Sequence, residues 1–214
     1  MKNKKILFLS IVGCLFVLTS IFNETLSFFK DEKVIVNKFS YGEIDVDIEE
    51  DFEENPDITF DGSKVKKKVW INNNTNNPAL IRVSISSRWI NPKDEEEVIE
   101  DDENLVNLNF KEEFNSNGES DNWYKSNDGY YYYKNILEAK GKTAQLLDSV
   151  TFNKTDNPLY KNKEFRVEVK AEAVQPNKAN EEGNEYYVYE KLWRNILDDK
   201  VHEVLKGIVD NYKI

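Results

Sequence analysis

Two stretches limit what this chain can fold into more than anything else in it. In "ALIRVSISSRW", residues 79–89, Ile81, Val83 and Ile85 alternate with Arg82, Ser84 and Ser86. In "EFRVEVKAEAV", residues 164–174, Phe165, Val167, Val169, Ala171 and Ala173 alternate with charged neighbours. A period of two sends successive side chains to opposite faces of a strand, so each stretch predicts a strand with one buried and one polar face. Ile44, Val46 and Ile48 repeat the pattern against Asp45, Asp47 and Glu49. After the turn at Asp61-Gly62, Val65, Val69 and Ile71 predict another strand, in which the lysines at 66–68 read as a solvated run or a protected edge. "GYYYYKNIL" and "SVTF" add two more. The Asn-rich residues 72–78 read as a loop, and the acidic residues 94–103 as a solvated loop or short helix. From Tyr186 onward the period changes. Leu192, Ile196, Val201, Val204, Leu205, Ile208 and Tyr212 recur at helical spacing, which predicts one or two helices with a break near Asp198. Many short strands with little helix before the end predict an antiparallel sandwich.

The N-terminus is of another kind. Lys2, Lys4 and Lys5 precede an apolar run over residues 6–22, then Asn23 and Glu24. Small residues at Thr25 and Ser27 fit the −3 and −1 positions of a cleavage site, which places the cut between Ser27 and Phe28. Two other fates compete. The run approaches the ~18 residues of a membrane anchor, although Ser10, Gly13, Thr19 and Ser20 weaken it. Ile11-Val12-Gly13-Cys14 has the look of a lipidation motif, but the apolar run continues past Cys14. Cys14 is the single cysteine, so a chain cut after Ser27 has no disulfide or thiolate chemistry. The leader holds three lysines and one glutamate, and the net charge of −11 becomes about −13 without it. That acidity disfavours nucleic acid and anionic lipid as partners.

Catalytic sets are scarce. A zincin needs H-E-x-x-H, and the single histidine, His202 in "HEVLK", has Lys206 where the second ligand belongs. One histidine leaves little room for nucleophile–histidine pairs. Carboxylates at 49–54 and 94–103 lack EF-hand spacing and read as solvated faces rather than a calcium site. Tyr130 to Tyr133, Trp89, Trp123 and Trp193 offer a carbohydrate platform only if they are exposed, and alternation assigns half of the tyrosines to the core. The expectation is no enzyme, no metal and no cofactor.

Four segments in order carry a resemblance. They are "TLSFFKDEKVIVNKFSYGEIDVDI", "VWINNNTNNPALIRVSISSRW", "DGYYYYKNILEAKGKTAQLLDSVTF" and "VEVKAEAVQ". Together, from about Thr25 to Gln175, they resemble the SipW-dependent biofilm matrix proteins, the TasA, camelysin and BsaA group of Gram-positive bacteria. The look is closest to the clostridial BsaA-type members. The acidic residues 94–103 and the tail after Gln175 have no counterpart in the pattern. The resemblance implies a jelly-roll-like sandwich, secreted and cut by a dedicated signal peptidase, which polymerises with itself or with related matrix subunits into extracellular fibres. In such fibres the freed N-terminal strand of one subunit inserts into the next. The expected division is a signal peptide at 1–27, a donor strand and connector at 28–42, a sandwich at 43–175 and a helical tail at 176–214. Phe28, Phe29, Val34, Ile35 and Val36 are the apolar residues that would fill a neighbour's pockets. The competing readings are that this segment is the first strand of its own domain, that the chain is a camelysin-like secreted metalloprotease, or that it is a carbohydrate-binding jelly roll.

Overall fold

The computed structural model describes residues 27–37, 44–52, 57–58, 61–91, 93, 105–160, 162–193 and 198–212, with the backbone alone at 27–37 and 57–58. The leader before Ser27 and the acidic residues 94–103 lie outside the described residues. Among the described residues twelve strands and two α-helices follow in chain order, with a 3-10 turn at Pro158–Tyr160. The strands are β1 (Ser27–Asn37), β2 (Val46–Phe52), β3 (Asp57–Ile58), β4 (Lys64–Asn73), β5 (Leu80–Ile90) and β6 (Val106–Phe110). They continue with β7 (Trp123–Lys125), β8 (Tyr130–Tyr133), β9 (Leu147–Phe152), β10 (Glu164–Val174), β11 (Lys178–Glu181) and β12 (Asn184–Tyr187). The helices are α1 (Val188–Leu192) and α2 (Asp199–Asn211).

The protein is a mainly-β sandwich with a helical tail. One sheet runs β3-β1-β10-β5-β8-β7 and the facing sheet runs β2-β4-β9-β6. The two strongly alternating stretches form β5 and β10, and they pair with each other from Glu164↔Ile90 to Val174↔Leu80. Their inward residues Ile81, Val83, Phe165, Val167, Val169, Ala171 and Ala173 are fully buried. Val46, Ile48, Val69, Ile71, Leu147, Val150 and Phe152 meet them from the facing sheet. Every pairing among the described residues is antiparallel except one: β1 runs parallel to β10.

A second core lies on the other side of the first sheet. Leu80, Tyr124, Tyr132 and Val174 project there and are covered by Tyr189, Trp193, Val201, Leu205 and Val209 of the tail. The tyrosine run serves both sides. Tyr131 and Tyr133 join the sandwich core, while Tyr132 enters the tail core with Tyr130 packed against it. The helical break falls where the sequence predicts it, because Asp198 caps α2 by accepting from the Lys200 amide at 2.9 Å. The segment before α1 differs from expectation. β11 and β12 form a hairpin, with Tyr186 and Tyr187 in its second strand.

The lysine run also needs correction. Lys66 is exposed and Lys68 half-buried, but Lys67 is fully buried, and its ammonium lies 2.5 Å from Glu50 Oε1. The alternation of β4 sends Lys67 inward between Val65 and Val69, and Glu50 of the adjacent β2 meets its charge. A carboxylate partner is what makes a buried ammonium tolerable.

Candidate functional site: the N-terminal strand and its slot

The site is built from β10 outward. Its free edge takes β1 over ten register pairs, from Phe28↔Glu164 to Asn37↔Ala173. The five apolar donor-strand residues are all on this one strand. Phe29 stands opposite Phe165, and Ile35 opposite Ala171. Phe28, Val34 and Val36 stand opposite Glu164, Lys170 and Glu172. In this single chain β1 thus sits in its own sheet. On its other side β3 pairs with it at two positions only, Ser27↔Ile58 and Phe28↔Asp57. The expected cleavage bond, between Ser27 and Phe28, falls inside that short β1–β3 pairing.

At one end of the β10 edge, Phe165 sits in an aromatic cluster. Phe165 is stacked at a tilt against Trp89, with centroids 4.9 Å apart, and meets Phe152 edge-on at 5.2 Å. Tyr160 closes the cluster at 5.1 Å from Trp89. Such pairs add to area burial and give the slot a fixed shape.

At the other end the strand lies beside a buried polar network. Arg82 of β5 donates from Nε and a terminal nitrogen to Glu172 Oε2 of β10, at 3.1 and 2.7 Å. The guanidinium stacks on Tyr130 at 4.0 Å and on Trp193 at 5.0 Å. Tyr130 donates its hydroxyl to Glu172 Oε1 at 3.1 Å, and Lys170 lies 2.9 Å from the same oxygen. Burial pushes the Glu172 carboxyl pKa up, but the bonds from Lys170 and Arg82 outweigh it and hold the group below its ordinary value. Alternation assigns Arg82 and Glu172 to the polar outer face, and that face is where they are. What the sequence does not reveal is that the tail covers it. The apolar tail residues, which need a sheet face to bury against, are the signal that could have pointed there.

Other candidates are placed elsewhere. His202 lies on α2 with its side chain 42% exposed. Its Nδ1 is 3.1 Å from the Tyr189 hydroxyl and 3.3 Å from Glu190 Oε1. Among the described residues no three His, Cys, Asp or Glu side chains converge as metal ligands. The acidic stretch after Ile48 is taken up by cations: Glu49 by Lys142, Glu50 by Lys67 and Asp51 by Lys66. Trp89, Trp123 and Trp193 are at most 2% exposed and present no platform to solvent.

Comparisons with protein-family models, with curated proteins and with solved structures returned no match. No helix among the described residues is long and apolar enough to cross a membrane.

Proposed function

We propose that this chain is a secreted, non-enzymatic structural subunit of an extracellular matrix fibre. Signal peptidase cuts it after Ser27, and it assembles by exchanging β1 between neighbouring copies. The observation that carries this reading is the position of β1. It is the first strand among the described residues, and with the proposed cut after Ser27 it becomes a free end that can leave without threading. It lies along an edge of β10 whose inward residues are fully buried in the seated state. A chain whose β1 has left exposes unpaired backbone groups and an apolar cleft, and the β1 of another copy satisfies both through the same register. Each copy gives one strand and receives one. Such a head-to-tail contact does not close on itself, and it yields an open filament.

A cysteine pair tests the exchange directly. Ile35 and Ala171 are register partners, so Ile35→Cys with Ala171→Cys places two thiols across the β1–β10 seam. In a chain beginning at Phe28 these are the only thiols, since Cys14 is gone. Fibres formed under reducing conditions and then oxidised should give a covalent ladder on a non-reducing gel. Monomer should give an internal link with no change in mass class. Oxidised fibres that dissolve wholly to internally linked monomer would show that β1 is kept, and would end the exchange mechanism.

A further inference from the structure

The tail spans the part of the first sheet that an exchanging β1 leaves behind. Four adjacent strands of that sheet run β10-β5-β8-β7. Val174 of β10, Leu80 of β5, Tyr132 of β8 and Tyr124 of β7 share one core with Trp193 and Leu205 of the tail. On the far side of β10 the sheet continues with β1 and β3. The sheet thus divides into four strands strapped together from outside and an edge that joins them through the β10 backbone.

The strap grips β10 unevenly. Over Ala171 to Val174 the strand is covered on both faces. Ala171 and Ala173 are fully buried in the sandwich core, and Glu172 and Val174 are at most 2% exposed on the tail side. Glu172 is tied across strands: Arg82 of β5 binds it at two points, Tyr130 of β8 at a third, and the Trp193 ring lies 5.0 Å from the guanidinium. Nearer the start of β10 the outer face is held more loosely. Glu168 and Lys170 are half-buried, and the Arg88 that bonds Glu168 is half-buried too. Arg166 is buried, but its 2.6 Å bond to Glu164 stays within β10. By register the gripped end pairs with Ile35, Val36 and Asn37 of β1, and the looser end pairs with Phe28 to Asp31.

We propose that the tail is a brace for the acceptor edge: through Trp193 and Arg82 it fixes β10 at Glu172, so that β1 is held most firmly at its Val36 end and opens from its Phe28 end. Arg82 and Trp193 are positioning residues, acting on β1 through the β10 backbone. The brace matters to assembly only if β1 exchanges, so it rests on the reading above. A strand pinned by buried, charge-assisted bonds stays extended, and its edge stays ready after its partner has gone. Where fewer buried contacts hold it, the pairing opens at lower cost. The polarity suits a chain cut after Ser27. The end that opens first is then the free one, and the end held longest is the one that continues into the domain.

The test is amide hydrogen exchange on the chain beginning at Phe28, kept monomeric below the concentration at which it assembles. In the unmodified chain residues 34–37 should exchange several-fold more slowly than residues 29–31. Two variants loosen the brace in different ways. Arg82→Lys keeps a cation beside Glu172 and loses the paired donors. Trp193→Leu keeps an apolar plug and loses the ring face under the guanidinium. Each should speed exchange at 34–37 several-fold and leave 29–31 nearly unchanged. Ile71→Val, in the buried core of the facing sheet, is the control, since a loss spread over the sandwich moves both ends alike. Fraying of a free end gives a gradient too, but not one that depends on Trp193. An unmodified chain with no gradient or a reversed one overturns the brace, and so do brace variants that behave like Ile71→Val. Should one variant not fold, the unmodified gradient and the other variant decide. Failure here is separable from failure of the exchange reading, because the gradient is read in monomer and the cysteine ladder in fibres.

Discussion

Glu172 is the residue whose loss should tell most about what holds β10 in place. It is 2% exposed and accepts from Arg82, Tyr130 and Lys170 at once. Glu172→Gln keeps the shape and removes the charge, leaving the buried Arg82 guanidinium without its carboxylate. Breaking one partner of a buried pair costs about 3–5 kcal/mol, and denaturant unfolding should show a loss of that order. The same group predicts a pH dependence. Its folded pKa lies below the ordinary 4.5, so its contribution is fully present above pH 4.5 and is lost as the pH falls through the folded value. The wild-type stability curve should therefore fall more steeply below that point than the Gln variant's. A parallel pair of curves would show that the carboxylate contributes nothing there. The residues also show where sequence reading stops. Val83, Val169 and Ala171 are legible as core because alternation is a local property of the chain. Lys67 is not, because composition says solvent while the strand period says core, and only the Glu50 carboxylate on a neighbouring strand decides between them.

Helix α2 is tied to the sandwich through its first turn. Asp198 caps it and also accepts from the Tyr124 hydroxyl at 2.7 Å and from Ser126 at 3.3 Å. Burial and the Asp198 charge push the Tyr124 phenol up to about 12, so this hydroxyl stays a donor throughout the neutral range. Lys200 adds an ion pair with Glu119 at 2.5 Å. Asp198→Ala removes the cap and the anchor together. It should lower stability by about 1–2 kcal/mol and speed amide exchange over residues 199–211 before any strand is affected. Asp198→Asn retains a capping oxygen and should cost less than Ala, which separates cap from charge. Exchange in α2 that is unchanged by Ala would place the anchor in the apolar contacts instead. Element by element, β5 and β10 are readable in the sequence from end to end. The β11–β12 hairpin is not. Its strands "KANE" and "NEYY" are largely exposed and show no alternation, and its turn rests on Glu182 and Gly183 at φ 54° and 86°. Nor does β1 reveal its partner, since a parallel pairing across more than a hundred residues leaves no local trace.

For the molecule as a whole, the proposed exchange makes assembly a matter of rate as much as of affinity, because β1 is seated in its own sheet. On that proposal the strand finds the same register in its own slot and in a neighbour's, so exchange changes few contacts and the balance between monomer and fibre depends on concentration. The route between them is different in kind. A chain must first give up ten β1–β10 register pairs before it can give or receive a strand. Opening therefore precedes encounter. At low protein concentration fibre growth should rise with concentration. At high concentration it should reach a ceiling set by the opening rate. Mild urea exposes the seam and should raise that ceiling even though it weakens the finished fibre. A peptide spanning residues 28–37, added in excess, should occupy opened acceptors and stop elongation without dissolving existing filaments. Light scattering over a wide concentration range reads all three effects. Growth that stays proportional to concentration without a ceiling, indifferent to urea and peptide, would mean that the strand is unseated at rest or is not the element exchanged.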